Sequence, residues 1–390
     1  MSHKAKAGLH FALIFAAHAL GAMSVLSVLT AGPQITVALG LSPLQLGGLA
    51  SIYSAALAMA SLPAGLVTDR LGTRAALTLS AFCISAGLLV CATADGFDQL
   101  AAGMALCGAG YGLINPAAGR AITLWFTAQW RTTLLSLKQT GVPIGAAIGS
   151  LTALLGPVWG FQAGILCAAM ISFMAGVMFL LLLPSEPRRP IQQETRSQSA
   201  LAEVLALPDL GRANLAAGLT NGMQFALWAH LPELLQRTSG TGVAVLGLCL
   251  AALHLGTFLG RMVWGVLTDR ILRGDAPRAL RMLSFTALVG VAILAGIILP
   301  AGPILAVIAC FLLGFTLCAA VGLHVALTAR IAPDHLLGGA MGYTMLVTNI
   351  GGVVVPILLG LAMSLAGLSG ATLTLASFVC LVLVLLAKFR

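Results

Sequence analysis

Two basic side chains lie inside long apolar stretches of this sequence, where a charge is costly. Lys138 opens the run Lys-Gln-Thr-Gly, and Arg261 follows His254 by seven residues and Thr257 by four. Those two intervals place Arg261, His254 and Thr257 on one face of a helix. A cation held away from water attracts carboxylates and oxyanions strongly. The sequence therefore predicts that Lys138 and Arg261 bind a small anion, although long basic side chains also reach out to the aqueous interface from within a helix.

Neutral polar residues accompany these cations at helical spacing. Asn214, Asn221 and Trp228 recur every seven residues, with Gln224 beside them, and this period places them on one stripe of a helix. Such residues are also typical of helix–helix hydrogen bonding. Histidine titrates close to neutral pH and is in addition a candidate proton carrier. The predicted solute-binding side chains beside the two cations are His18, Asn115, Asn221, Gln224, Trp228 and His324.

The apolar stretches around these residues are long enough to cross a membrane. Hydrophobic residues make up 59% of the 390-residue chain and charged residues 8%, whereas a soluble domain carries about 25% charged residues. A span needs about 20 apolar residues. The sequence thus predicts an all-α polytopic protein embedded in a lipid bilayer. Its twelve predicted spans lie near 9–35, 42–67, 75–94, 97–119, 134–155, 161–183, 212–235, 242–267, 279–299, 302–328, 338–362 and 366–387.

The basic residues predict how these spans are oriented. When twelve spans are threaded, nearly all Lys and Arg residues of the loops fall on one side, and Arg237 alone falls on the other. The positive-inside rule places the basic side and both termini in the cytoplasm, which predicts a multi-pass protein of the cytoplasmic (inner) membrane. This topology explains the net charge of +9 without nucleic-acid binding. The residues on the predicted cytoplasmic side are Lys4, Lys6, Arg70, Arg74, Arg131, Arg188, Arg189, Arg196, Arg270, Arg273, Arg278, Arg281, Lys388 and Arg390.

One long polar stretch divides the chain in the middle. Residues 184–211 are rich in Pro, Gln, Ser, Glu and Arg, a composition typical of a linker. The predicted domains are therefore an N-terminal six-helix bundle over residues 1–183, a cytoplasmic linker over 184–211, and a C-terminal six-helix bundle over 212–390.

A short charged signature occurs twice, which indicates a duplication. Gly65-Leu66-Val67-Thr68-Asp69-Arg70 returns as Gly265-Val266-Leu267-Thr268-Asp269-Arg270, and each copy stands at the end of an apolar segment. The two copies predict equivalent short loops on one side of the membrane. A weaker match, Gly112-Leu113 with Arg120 against Gly322-Leu323 with Arg330, supports two parallel six-span repeats related by an axis along the membrane normal.

The first copy, extended to Gly65-x-x-x-Asp69-Arg70-x-Gly72-x-Arg74, resembles the loop signature of the major facilitator superfamily. The resemblance covers essentially the whole chain. It implies two six-helix bundles with pseudo-two-fold symmetry, in which spans 1, 4, 7 and 10 line a central cavity, and spans 2, 5, 8 and 11 form the contact between halves. It also implies a gating latch that opens and closes one side, formed here by Gly65, Asp69, Arg70, Gly72, Arg74, Gly265, Asp269 and Arg270.

The glycines of the signature have a physical interpretation of their own. Gly65 and Gly72 are expected to permit a close helix approach and a tight turn. The second copy has Leu272 where the first has Gly72, so the conformational switch is expected mainly at Asp69.

A further small-residue stripe lies in the fifth predicted span. Gly141, Gly145 and Gly149 recur at intervals of four, three residues after Lys138. Such a stripe lets two helix backbones approach closely. We interpret it as a packing seam between the two halves.

The distribution of acidic residues bears on the cargo. All eleven Asp and Glu residues lie in or beside predicted loops, so no carboxylate is expected deep in the membrane to bind a cation or carry a proton. Met104 also stands where the superfamily's proton-coupled drug antiporters carry an Arg before a Gly-x-Gly, here Gly108-Ala109-Gly110. Both observations count against cation/proton antiport. The sequence predicts a secondary transporter that moves a monocarboxylate or a small cyanate-like or nitrate-like oxyanion by alternating access.

Other functions are weaker interpretations of the same sequence. An exporter of a hydrophobic metabolite or drug would use the basic groups structurally. Against an enzyme, the spans contain no paired carboxylates, no His-Glu-x-x-His and no Gly-x-Ser-x-Gly, so no catalytic residue is predicted. The duplication and the latch suit a rocking transporter better than a channel. The eight cysteines form no Cys-x-x-Cys pair, so neither a metal nor a cofactor is predicted. The expected partners are a small-molecule solute, a coupling proton or counter-ion, and lipid, with the protein a monomer.

Overall fold

The computed structural model of the protein describes residues 3–127, 134, 137–153, 155–185, 198–239, 243–296, 303–333 and 336–389. These residues form helices and connections, without a strand among them. Helices are expected here, because a chain in lipid must satisfy its backbone hydrogen bonds within each segment. The predicted all-α class is confirmed.

The helices follow one another along the chain as short and long elements. They are α1 His3–Leu29, α2 Gly32–Leu39, α3 Pro43–Leu71, α4 Thr73–Ala92, α5 Phe97–Gly112, α6 Ile114–Trp125, α7 Gly141–Ala153, α8 Gly156–Trp159, α9 Phe161–Leu182, α10 Gln198–Leu205, α11 Leu210–Ser239, α12 Val243–Val266 with a π-helical turn Leu267–Ile271, α13 Ala276–Leu294, α14 Pro303–Phe315, a 3₁₀ turn Leu317–Ala319, α15 Val321–Ile331 and α16 Leu337–Ala387.

Eight helices of the described part are long and apolar enough to cross a membrane. One of them, Gly339–Ala387, has 49 residues and is interrupted by non-helical backbone at Ala366 and Gly367, so it holds the last two predicted spans. The fourth predicted span is divided between α5 and α6, and the seventh lies in α11. The spans predicted from sequence therefore coincide with helices, but several of these helices are interrupted or are longer than the predicted span.

The chain divides into two compact units. The first comprises Met1–Leu41 and Ile52–Gln192, and the second comprises Ser42–Ser51 and Gln193–Arg390. The first turns of α3 thus pack with the second unit. The bundle boundaries predicted from sequence stay a prediction.

Within the first unit, α7 packs along α1 through glycines. A Cβ at Gly141 would meet the Phe15 carbonyl, one at Gly145 would meet the backbone of Ala19, and one at Gly149 would meet the Met23 carbonyl. The stripe is therefore a close-packing face, as predicted. Its assignment to the contact between halves is wrong, because the backbone that it meets belongs to α1 of the same unit.

Within the second unit, the first turns of α3 pack closely on α16 and α11. A Cβ at Gly47 would meet the Pro356 carbonyl and the His230 ring, and one at Gly360 would meet the Pro43 carbonyl and the same ring. His230 is fully buried, and its Nε2 lies 3.1 Å from the Pro356 carbonyl oxygen. Pro356 interrupts the hydrogen-bond ladder of α16, and the imidazole lies against the helix at that point.

The first copy of the charged signature lies in a helix and not in a loop. Helix α3 runs through Pro63 and continues to Leu71, the residue before Gly72. Gly72 has a φ of 81°, which favours glycine, and makes the predicted tight turn into α4. The close approach predicted at Gly65 is wrong, because a Cβ there would meet no atom within 4 Å. Arg70 is exposed and Arg74 is half-buried.

The second copy turns differently from the first. Gly265 lies near the end of α12, while Asp269 and Arg270 are exposed residues of the π-helical turn. The chain then reverses at Arg273 and Gly274, which both have positive φ, 53° and 80°. The second copy has Leu272 in place of a glycine, and its positive-φ glycine is Gly274, two residues later. The prediction of a short loop over Gly265 to Arg270 is wrong, because these residues are helical.

Asp275, at the end of this turn, contacts both the following helix and α15. Its carboxylate accepts a hydrogen bond of 3.1 Å from the backbone N–H of Arg278 and so caps α13. The same Oδ1 lies 3.8 Å from Nη1 of Arg330, at the end of α15. One carboxylate thus joins the α12–α13 turn to α15, and Arg330 has a partner that the sequence did not indicate.

We expect Asp275→Asn to lower the thermal stability of the protein modestly. The asparagine keeps a capping oxygen but loses the charge that attracts Arg330, and a partly exposed pair of this kind contributes about 0.2–1 kcal/mol. Asp275→Ala removes the cap as well, and a lost cap costs about 0.5–2 kcal/mol. Thermal unfolding in detergent measures both. Equal midpoints for the two variants would show that the cap contributes nothing.

Some residues used in the sequence analysis lie outside the described part. The side chain of Asp69 is among them, although its backbone belongs to α3. Most of the predicted linker is also among them, since description stops at residue 185 and resumes at 198. The others are Lys4, Arg131, Arg188, Arg189, Arg196, Arg237 and Arg390.

Candidate functional site

Three of the predicted binding residues meet in the first unit. The Nζ of Lys138 lies 3.1 Å from Nε2 of His18 and 3.0 Å from Oδ1 of Asn115. His18 Nε2 and Asn115 Oδ1 are themselves 3.1 Å apart. The three side chains form a closed triangle, which we call the Lys138 cluster. It joins residues from α1, from α6 and from the helical turn just before α7.

Hydrogen-bond roles within the Lys138 cluster follow from its geometry. His18 Nδ1 lies 3.4 Å from the carbonyl oxygen of Ile14, which can only accept. We therefore assign the imidazole proton to Nδ1. His18 Nε2 then has a lone pair and accepts from Lys138, and the amide oxygen of Asn115 accepts a second Lys138 N–H. The lysine is thus held by two neutral acceptors.

Each residue of the Lys138 cluster is positioned by a local feature of the sequence. Asn115 lies in the first turn of α6, after a break caused by Pro116, which has no N–H to offer the carbonyl four residues earlier. Apolar contacts fix α6 against α1, with Ile14 packed on Ala118 and Ile122. Close glycine packing of α7 on α1 brings Lys138 beside His18.

The burial of the Lys138 cluster is uneven. His18 has 0% of its surface exposed and Lys138 has 4%, whereas Asn115 is exposed. Asn115 is therefore the member of the Lys138 cluster that is open to its surroundings. Among the residues that the structure describes, no carboxylate forms an ion pair with Lys138.

The polar residues predicted in α11 and α15 all belong to the second unit, and most are buried against other helices. Asn221 donates a hydrogen bond of 2.9 Å from Nδ2 to the Thr348 carbonyl. His324 Nε2 lies 3.2 Å from the hydroxyl of Thr220. Trp228 packs on Phe225 with ring centroids 5.0 Å apart. The Gln224 side chain is 3% exposed, and its Oε1 has no hydrogen-bond partner within the described part of the chain.

A chain of hydroxyl groups in the same unit was not predicted. The Thr344 hydroxyl lies 2.7 Å from Oδ1 of Asn214 and 2.9 Å from the hydroxyl of Thr328. Threonines are common in apolar helices, where they bond to their own backbone, so the sequence carries little signal for this network. The one indication of this network in the sequence was Asn214, which lies seven residues before Asn221 and so on the same face of the helix.

Arg261 lies apart from the residues just described. It is half-buried, and its Nη2 donates toward the Cys318 carbonyl at 3.5 Å, in the 3₁₀ turn between α14 and α15. His254 and Thr257 are buried on the same helix. Part of the guanidinium thus supplies a hydrogen-bond donor to a backbone carbonyl of the 3₁₀ turn, where the helix is interrupted. Its predicted role toward an anion stays a prediction.

One acidic residue departs from the sequence analysis. Glu233 was taken to lie beside a loop, but α11 continues to Ser239, and the Glu233 side chain is only 6% exposed. The expectation that every carboxylate lies in or beside a loop is therefore wrong at this position.

Among the described residues, no group of three or more His, Cys, Asp and Glu side chains could hold a metal ion.

The similarity of this chain to known proteins extends beyond the signature. The family model described as "Major Facilitator Superfamily" matches residues 12–356. This chain belongs to the major facilitator superfamily. It is therefore a membrane protein of a solute-transporter family, and the resemblance seen at Gly65–Arg74 is confirmed over residues 12–356.

Relatives of this chain include proteins named as transporters of organic acids. The chain is 26% identical to the gentisate transporter of Corynebacterium glutamicum, over 83% of this chain and 74% of that protein. It is 22% identical to the hexuronate transporter of Bacillus subtilis, over 90% of this chain and 86% of that protein. An uncharacterized MFS-type transporter of Mycobacterium tuberculosis is 24% identical over 68% of this chain, and the match spans 59% of that relative's length.

Solved structures share the fold. A bacterial homolog of the human lysosomal transporter Spinster, in an inward-facing and unoccupied conformation, superposes with a TM-score of 0.76 and 16% identity over 98% of this chain and 96% of that chain. At this identity the likeness supports the fold alone.

Proposed function

We propose that this protein transports a small organic anion across the membrane and that Lys138 binds the carboxylate of that solute. The observation that carries the proposal is the Lys138 cluster, a lysine that is 4% exposed and held by His18 and Asn115. A charge buried among neutral groups is costly until an opposite charge joins it. A bound carboxylate supplies that charge.

The relatives support the carboxylate over the inorganic anions. Gentisate and hexuronates are both organic acids that carry hydroxyl groups, and the proteins named for their transport match most of this chain. Asn115 at the exposed edge of the cluster suits a hydroxyl group beside the carboxylate, since an amide both donates and accepts. We propose a hydroxylated monocarboxylate as the solute class.

The remaining features fit an alternating-access carrier of this kind. We propose that the signature around Asp69 biases the conformational change, and that Arg261 contributes to anion binding. The excess of Lys and Arg in the loops supports an inner-membrane location with both termini in the cytoplasm. The carrier is proposed to work as a monomer.

A solute screen on purified protein in proteoliposomes tests this proposal. We expect labelled gentisate or galacturonate to enter by counterflow, and unlabelled carboxylates to compete. Nitrate is expected to compete weakly, and tetraphenylphosphonium, a lipophilic cation, not at all. Counterflow of tetraphenylphosphonium without any counterflow of the two organic acids would contradict the proposal and favour an exporter of hydrophobic compounds.

A further inference from the structure

An apolar groove runs along an exposed face of α12 in the second unit. Its volume is about 320 Å³, and two of its side chains, Val266 and Ile271, are 57% and 69% exposed. From Met262 to Ile271 the helix rises about 13 Å, which is close to the ~15 Å of hydrocarbon in one leaflet of a bilayer. The groove therefore has the length of an acyl chain. It is lined by Met262, Val263, Val266, Leu267 and Ile271.

This groove ends where the apolar span ends. The span Val245–Ile271 stops at the last residue of the groove, and the next span begins at Ala276. The π-helical turn Leu267–Ile271 forms the junction, and such turns are frequent at functional sites. Charged residues that directly follow an apolar span lie at the depth of the lipid headgroups. In a bilayer, the end of the groove is thus next to the headgroup layer.

Three arginines surround this end of the groove. Arg270 directly precedes Ile271, Arg273 follows it by two residues, and Arg278 lies in the first turn of α13. All three arginines are exposed. Within the described part of the chain, no carboxylate forms an ion pair with any of them. Their side chains are therefore available to an external anion.

The carboxylates of the same turn do not neutralise these arginines. Asp275 is already used, since it caps α13 and lies 3.8 Å from Nη1 of Arg330. Asp269 is the one other carboxylate in residues 269–278, against three arginines. The turn therefore keeps a net positive charge. Juxtamembrane charge of this sign attracts anionic lipid headgroups.

The backbone that carries the arginines is held by hydrogen bonds. The N–H of Leu272 donates to the Leu267 carbonyl at 2.9 Å, and the N–H of Gly274 donates to the Thr268 carbonyl at 2.8 Å. The Asp275 cap fixes the start of α13. A ligand on this turn has to order little more than the arginine side chains, which keeps the entropic cost of binding low.

We propose that this part of the second unit binds one anionic phospholipid, with an acyl chain in the α12 groove and the headgroup phosphate on the arginines of the α12–α13 turn. A guanidinium donates two parallel hydrogen bonds to a phosphate. A soluble phosphate would leave the groove unused, and a zwitterionic lipid would bring a cation of its own to the arginines. The site contains no residue of the Lys138 cluster, so it goes beyond the proposed function and does not depend on it.

Phosphatidylglycerol and phosphatidylcholine with identical acyl chains test this site. Each lipid is titrated into the purified full-length protein in detergent, and bound lipid is measured by native mass spectrometry. An arginine near an anionic headgroup contributes about fivefold in affinity. We expect the wild type to bind phosphatidylglycerol about a hundredfold more tightly than phosphatidylcholine, and added salt to reduce this preference.

The variant Arg273→Gln/Arg278→Gln removes two of the three charges. Its affinity for phosphatidylglycerol should fall by about thirtyfold, and its affinity for phosphatidylcholine should not change. The matched control is Lys6→Gln/Arg212→Gln, which removes two positive charges at exposed residues outside the turn. The control should bind both lipids like the wild type. Soluble glycerol 3-phosphate should not displace phosphatidylglycerol, because it lacks the acyl chains that occupy the groove.

Three results would overturn the assignment of this site. Equal affinity of the wild type for the two lipids would show that the arginines select no anionic headgroup, and this result needs no variant. An unchanged affinity for phosphatidylglycerol in a folded Arg273→Gln/Arg278→Gln protein would place the headgroup elsewhere. Displacement of the lipid by an equal concentration of glycerol 3-phosphate would assign the arginines to a soluble phosphate. Counterflow of organic acids is a separate measurement, so the proposed function stands or fails independently of all three.

Discussion

Lys138→Gln is expected to reduce gentisate or galacturonate uptake by about ten- to a hundredfold, since a hydrogen bond to a charged group contributes about 1.5–3 kcal/mol. Glutamine retains polar atoms and much of the side-chain length, and it still reaches toward His18 and Asn115. It removes the positive charge. The loss should therefore appear mainly in the affinity for the anion, measured as the concentration of half-maximal counterflow.

The matched control is Lys388→Gln, the same substitution at an exposed lysine near the end of α16. It should leave uptake unchanged. Arg261→Gln should reduce uptake less than Lys138→Gln, because Arg261 is half-buried and donates toward the Cys318 carbonyl. If Lys138→Gln transports the anion with unchanged affinity and amount, the carboxylate is bound elsewhere and the proposed function loses its central observation.

The sequence identified the members of the Lys138 cluster without showing that they meet. Lys138, His18 and Asn115 each stood out as polar residues in apolar segments, yet Lys138 and His18 are 120 residues apart in the chain. Only the packing of α1, α6 and the turn before α7 brings them together. Periodicity within one helix reports which face a residue occupies, and it contains no information on the neighbouring helix.

The second unit shows what a pattern of residue types leaves out. The stripe of Asn221, Gln224 and Trp228 does lie along α11, but Asn221 bonds to the Thr348 carbonyl. The hydroxyl chain through Thr344 and Thr328 gave no sequence signal, because a threonine in an apolar helix can equally well bond to its own backbone. Helix ends were misjudged for a different reason. Asp69 and Arg70 signal a loop by their charge, although a cation such as Arg70 is favoured in the last turn of a helix.

Gly145→Val is the second substitution from which we expect a large effect, and this effect is on folding. The Cβ of any residue at 145 would overlap the carbonyl oxygen, carbonyl carbon and Cα of Ala19. These are backbone atoms of α1, so no side-chain rotation relieves the contact. Overpacking of a closely packed interior typically costs about 1–3 kcal/mol, and here α1 and α7 must also separate. We expect a lower unfolding temperature and aggregated material in size-exclusion chromatography.

Gly119→Ala provides the control, because a Cβ at this helical glycine of the same unit would meet no atom within 4 Å. That variant should be as stable as the wild type or slightly more so, since alanine is favoured over glycine in a helix by about 0.5–1 kcal/mol.

Gly145→Val is also expected to impair transport directly. Ala19 follows His18, and Gly145 lies two turns after Lys138, so a helix displaced at Gly145 also opens the hydrogen bond between His18 and Lys138. A folded Gly145→Val protein with wild-type stability and uptake would show that α1 and α7 are not in close contact, and the Lys138 cluster would then lack the packing that holds it together.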